Sequence, residues 1–116
     1  MGNLAFAIPG KILLFIVIAI FFNSCANKDI AKKRFEKGDY DRAYKIWEKW
    51  ADANYADINL KLATMIQKGL VKKSDEEAIQ RAKKAYEKGL KRAAKVLLRI
   101  YAKQKNYKKA LYWLQR

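Results

Sequence analysis

The sequence predicts an all-α chain: an apolar N-terminal signal or anchor helix, then a short solenoid of about three helix-turn-helix pairs. Three observations carry this. Ile12–Phe22 is an unbroken run of eleven apolar residues. From Asp29 onward apolar residues recur at helical spacing, and no proline follows Pro9. Finally, Gly38-Asp39-Tyr40-Asp41-Arg42-Ala43, Lys73-Ser74-Asp75-Glu76-Glu77-Ala78 and Lys105-Asn106-Tyr107-Lys108-Lys109-Ala110 superpose on their last alanine. The alanine spacings are 35 and 32 residues, which marks an internal repeat of helix pairs.

The N-terminal segment is ordered as one charge, Lys11, an apolar core, and then small polar residues ending in Cys25, the layout of an export signal. Eleven residues in a helix span roughly 16 Å, short of the ~30 Å bilayer core. Phe22-Asn23-Ser24-Cys25 resembles the lipobox of bacterial lipoproteins. The resemblance implies diacylation of the Cys25 thiol and cleavage before it. With Ala26 and not Asp after the cysteine, it also implies sorting to the outer membrane. The expected organisation is residues 1–24 as signal peptide or membrane anchor, 25–28 as tether, and 29–116 as the helical domain.

The helices follow in order. The first is expected over Asp29–Lys37, with Ile30 and Phe35 as apolar contacts and Gly38 as its stop. The second runs over about Tyr40–Asn54, started by Asp39, with Ala43, Ile46, Trp47 and Trp50 as its buried stripe. The third covers Ala56–Lys68, with Ile58, Leu62, Met65 and Ile66 inward. Ser74 and Glu77 form a capping box for the fourth, Asp75–Lys88, whose inner face is Ala78, Ile79, Ala82, Ala85 and Tyr86. The fifth covers Leu90–Lys105 through Ala93, Val96, Leu97, Ile100 and Tyr101. The sixth covers Tyr107–Gln115 through Ala110, Leu111 and Leu114. The short connections make neighbouring helices antiparallel.

In this reading the aligned alanines let paired helices approach closely, and Trp47 or Leu114, four residues on, fills the space beyond. Gly38-Asp39-Tyr40 with Ala43 and Trp47 resembles a tetratricopeptide unit. Ala78, Ala82, Ala85-Tyr86-Glu87-Lys88-Gly89, Ala93, Leu97 and Ile100-Tyr101 resemble a Sel1 unit. The resemblance spans about residues 29–116 and implies a scaffold that binds partner segments on a concave face, without fixing the ligand.

Composition narrows the chemistry. The chain has no histidine and one cysteine. Internal disulfides, most metal sites and most nucleophile–base schemes therefore lack their usual parts. The acids Asp39, Asp41, Asp75, Glu76 and Glu77 lie at helix starts, where the helix dipole accounts for them. No catalytic residue, metal site or cofactor is expected. The net charge of +15 is uneven: residues 25–77 carry +2 and residues 78–116 carry +12, with Glu87 the one acid among thirteen bases. Such a half attracts polyanions.

Two sets of residues are the candidate sites. Arg81, Lys84 and Lys88 on the fourth helix and Arg92, Lys95, Arg99 and Lys103 on the fifth fall at helical spacing as a basic surface, suited to anionic lipid, an anionic polymer or an acidic protein. Most of the aromatic residues fit a repeat core, while Tyr44, Tyr112 and Trp113 are candidates for a partner groove. With the sixth helix closing the sequence and no polar helix after it, Tyr112, Trp113 or Leu114 is expected to leave apolar surface for a partner or a second copy.

The expected function is non-enzymatic. The chain is read as a membrane-anchored lipoprotein of the bacterial envelope, on the periplasmic face of the outer membrane. It would scaffold a secretion, pilus, flagellar or polymer-export assembly. Export separates it from nucleic acid, which is not the expected ligand. The alternative is a single-pass inner-membrane protein whose basic domain faces the cytoplasm and binds nucleic acid or anionic lipid. It is favoured by Lys28, Lys32, Lys33, Arg34 and Lys37 after the apolar run against Lys11 alone before it.

Overall fold

The computed structural model describes residues 29–51 and 55–116. The apolar segment, the lipobox-like Phe22–Cys25 and the tether lie outside the described residues, as does the expected end of the second helix at 52–54. Every regular element among the described residues is helical: α1 (29–36), α2 (Tyr40–Ala51), α3 (Ala56–Gln67), α4 (Asp75–Glu87), α5 (Ala93–Lys103) and α6 (Tyr107–Leu114). No helix among them is long and apolar enough to cross a membrane.

Side-chain pairs fix the arrangement. Phe35 of α1 packs on Tyr40 and Trp47 of α2. The end of α5 meets the start of α4 through Gln104 and Asp75, 3.1 Å apart, so these two helices run antiparallel. Helices one further apart run parallel: Tyr44 of α2 meets Glu77 of α4, and Asp57 of α3 meets Arg92 before α5. One edge of the domain therefore gathers the starts of α1, α3 and α5 with the ends of α2, α4 and α6.

The core is built around small residues. Ala43, Ala63, Ala78, Ala82, Ala85 and Ala93 have no exposed surface, so the helices approach closely there. Leu62, Met65 and Leu97 fill the volume between them.

Three buried faces differ from expectation. On α1, Ala31 is fully buried, while Ile30, expected as an apolar contact, is 42% exposed. On α2 the buried stripe is Ala43, Tyr44, Trp47 and Ala51, with Ile46 and Trp50 only partly covered. On α6, Ala110 faces in as expected, but Leu111 and Leu114 are 55% and 62% exposed. Trp113 turns inward in their place, edge-on to Tyr86 of α4 at 5.1 Å. An indole in an edge-to-face aromatic contact covers more surface than a leucine would. Leu114 therefore does not fill the space that Trp47 fills in the first pair.

Four helices end alike. At α4, the Gly89 amide donates to the Tyr86 carbonyl and the Leu90 amide to Ala85, a left-handed cap with Gly89 at φ 102°. Gly38 and Gly69 close α1 and α3 in the same way. After α5 the same two bonds run from Lys105 to Ala102 and from Asn106 to Tyr101, and Lys105 sits at φ 60°. Residues 90–92 form a tight turn, so α5 starts at Ala93 and not at Leu90.

A side chain in the left-handed region costs about 1 kcal/mol or more relative to glycine. Lys105→Gly should therefore raise the unfolding free energy by about 1 kcal/mol in urea titration, whereas Gly89→Ala should lower it by a similar amount.

Candidate functional site

Tyr44 is almost fully buried at the junction of α2, α3 and α4. Its hydroxyl donates to Glu77 Oε2 at 2.8 Å and accepts from Arg81 Nε at 3.1 Å. The Arg81 side chain is only 13% exposed. A second guanidinium nitrogen donates to Asn59 Oδ1 at 3.1 Å. The third lies 3.9 Å from Glu48 and 4.0 Å from Glu77. Asn59, buried in α3, donates in turn to the Ala51 carbonyl of α2 at 3.4 Å. One guanidinium thus ties three helices together, which its planar fork of five donors allows and a lysine would not. Burial raises the Tyr44 phenol well above its ordinary 10.0, and the hydrogen bond to Glu77 adds to the shift.

This corrects two expectations. Arg81 is not part of an exposed basic face, because its charge is turned inward onto Glu48, Glu77 and Tyr44. Tyr44 does not line a groove, because α2 is rotated so that its ring joins the core. The capping box forms in its serine half: Ser74 Oγ accepts from the Glu77 amide at 3.2 Å, while the Glu77 carboxylate reaches across to α2. Sequence periodicity alone passed over Asn59. Its signal was a lone amide within an apolar stripe, a position that calls for a hydrogen-bond partner.

The other predicted basic residues are exposed: Lys84, Lys88, Arg92, Lys95, Arg99 and Lys103. They do not form one surface. Lys103 lies at the far end of α5, whereas Arg92, Lys95 and Arg99 border a groove between α5 and the end of α6. Trp113 lines that groove and its ring meets that of Tyr112. Tyr112 is 49% exposed, faces a neighbouring hollow beside Tyr86 and Tyr101, and carries the Arg116 guanidinium 3.9 Å over its ring. Of the three aromatic candidates, Trp113 and Tyr112 are therefore brought together and Tyr44 is not. The lipidation candidate Cys25 lies outside the described residues.

A second groove runs along α3 between α1 and the start of α5. Phe35, Leu60, Thr64 and Met65 line it, with Lys61, Lys68 and Arg92 at its margin. The sequence reading missed it because its residues come from α1, α3 and the turn before α5, whose relative placement only the packing sets. Among the described residues no cluster of three or more His, Cys, Asp or Glu is placed to hold a metal. No known protein family, curated protein or solved structure matches the chain.

Arg81→Ala removes charged hydrogen bonds and leaves Asn59 Oδ1 without its guanidinium partner. It should lower the unfolding free energy by about 3 kcal/mol, and Arg81→Lys should not restore it. The raised Tyr44 phenol also sets a pH dependence. Above about pH 10 the unfolded phenol ionises first. The unfolded state then binds fewer protons, and stability falls as pH rises toward the folded value. Tyr44→Phe should flatten this alkaline decline in melting temperature, even though it lowers stability at neutral pH.

Proposed function

We propose that the chain is a non-enzymatic, membrane-anchored scaffold of the bacterial envelope, built on tetratricopeptide- or Sel1-like helix pairs. The α3 groove would hold a segment of a partner protein. The observation that carries this reading is the groove itself: an apolar floor drawn from alternate helices, with lysines at its margin. The recurring offset between facing residues supports the repeat reading. Tyr44 with Glu77 and Glu48 with Arg81 each stand 33 positions apart, and Asp57 and Arg92 stand 35 apart. Attachment rests on the N-terminal sequence, through acylation of Cys25 at the outer membrane. The cations at positions 28–37 favour the second reading, an uncleaved inner-membrane segment with the domain in the cytoplasm and nucleic acid or anionic lipid as ligand.

Three measurements test these proposals. Mass spectrometry of the membrane fraction should find a mature chain beginning at diacylated Cys25; an intact Met1 with a free thiol there rules out lipidation. A reporter fused after Arg116 should work only if it suits the periplasm, and cytoplasmic activity would select the second reading. A photoreactive amino acid replacing Thr64 in the α3 groove should capture a discrete protein in intact cells. The same probe replacing Gln80, exposed on α4, should not, and equal capture at both positions would remove the groove from the proposal.

A further inference from the structure

The groove between α5 and α6 differs from the α3 groove in charge and position. It encloses about 520 Å³, within the range of small-ligand sites. Leu98, Trp113 and Leu114 make its apolar part, and Lys91, Arg92, Lys95, Arg99 and Arg116 its rim; no acid lines it. Residues 88–116 contain ten Lys or Arg and no Asp or Glu. The nearest compensation is Asp57, which bonds the exposed Arg92 at 3.4 Å. Arg116 is held over the Tyr112 ring. Leu114, at the mouth, is 62% exposed.

Position completes the case. The groove opens on the edge that gathers the starts of α1, α3 and α5 with the ends of α2, α4 and α6. The chain enters the domain at this same edge, at residue 29. Between the apolar run ending at Phe22 and α1 there are only six residues, Asn23–Lys28, which reach at most about 20 Å when extended. Whether the apolar run or an acylated Cys25 holds the chain, the membrane therefore lies within about 20 Å of residue 29, on the edge where the groove opens.

We propose that this groove docks on the anionic phospholipid leaflet from which the chain emerges. The rim cations would take the headgroup phosphates, and Leu114 would enter the headgroup–acyl boundary beside Trp113. Two chemical needs, anions and an apolar layer, are met by one surface already held at this edge. A second copy fits poorly, because it would bring two acid-free basic segments together. The inference rests on the membrane attachment proposed above and adds that the folded domain itself contacts the lipid.

The test uses the full chain reconstituted into phosphatidylcholine vesicles, with or without a third of phosphatidylglycerol. A diazirine amino acid replaces Leu114 or, on the opposite edge, Lys72. Lipid adducts should form at position 114 about fivefold more than at 72. The excess should fall by about the same factor without phosphatidylglycerol, or when Lys91, Lys95 and Arg99 are changed to Gln, with circular dichroism showing the variant still helical. Adducts to a second copy at 114, or equal lipid labelling at both positions, would overturn the proposal. In intact cells, a protein adduct at 114 in place of lipid would also overturn it. If the chain floats with the vesicles but position 114 stays unlabelled, the groove proposal alone fails. If the chain does not float, membrane attachment fails and the groove proposal fails with it.

Discussion

The packing of α2, α3 and α4 depends on a single buried guanidinium. Arg81 occupies the one place where these helices all present polar atoms, namely the Tyr44 hydroxyl, the Asn59 amide and the carboxylates of Glu48 and Glu77. An apolar side chain there would leave the buried Asn59 Oδ1 without its partner, at a cost of roughly 1–3 kcal/mol, while the Tyr44 hydroxyl would keep its bond to Glu77. The network also fixes register. Tyr44 and Glu48 are one turn apart on α2, as are Glu77 and Arg81 on α4, so sliding either helix by a turn separates both pairs together. Apolar contacts between alanine-rich faces are less selective, since one small residue packs against another with little preference.

Around that junction the fold is economical in size. Alanines with no exposed surface line the interfaces, and Schellman-type caps turn the chain within a few residues of the ends of α1, α3, α4 and α5. Close helices and tight turns let short elements bury a continuous core. Each helix is too short to be stable alone, so its stability comes from its neighbours.

Much of this was legible in the sequence. Helix number, most boundaries and the aligned alanines follow from glycine stops, capping residues and apolar spacing, all of which act within one or two turns. The rotation of a helix about its axis was less legible. Tyr44 reads as off-stripe because Ile46 and Trp50 are the larger apolar residues. It is buried because Glu77 and Arg81, more than thirty positions on, supply partners for its hydroxyl. Leu111 and Leu114 read as core because they are aliphatic, yet Trp113 takes the inward position because Tyr86 stands opposite it. Arg81 reads as one of a row of cations, and nothing local separates it from Lys84. Lys105 reads as an ordinary loop residue, although it holds the left-handed position that glycine fills at three other helix ends. The α5–α6 groove was half legible: Arg92, Lys95, Arg99 and Trp113 were named, while Lys91, Leu98, Arg116 and the shared edge required the packing.

The two halves of the domain handle charge in opposite ways. In the first, acids and bases nearly balance, and the acids are used: Asp39 on Arg34 and Arg42, Glu48 and Glu77 on Arg81. In the second, the ion pair between Arg92 and Asp57 is the single one made by residues 88–116 among the described residues, and both its side chains are well exposed, where such a pair contributes little. Lys109 and Arg116 lie over Tyr101 and Tyr112 instead, contacts that place cations without neutralising them. Self-repulsion of this kind works against the compact state. An internal structural role does not account for it, because an acid at the exposed Gln115 would relieve it without disturbing the core. The excess charge is directed outward, where the anionic leaflet proposed above would meet it, in a contact that would weaken as salt rises.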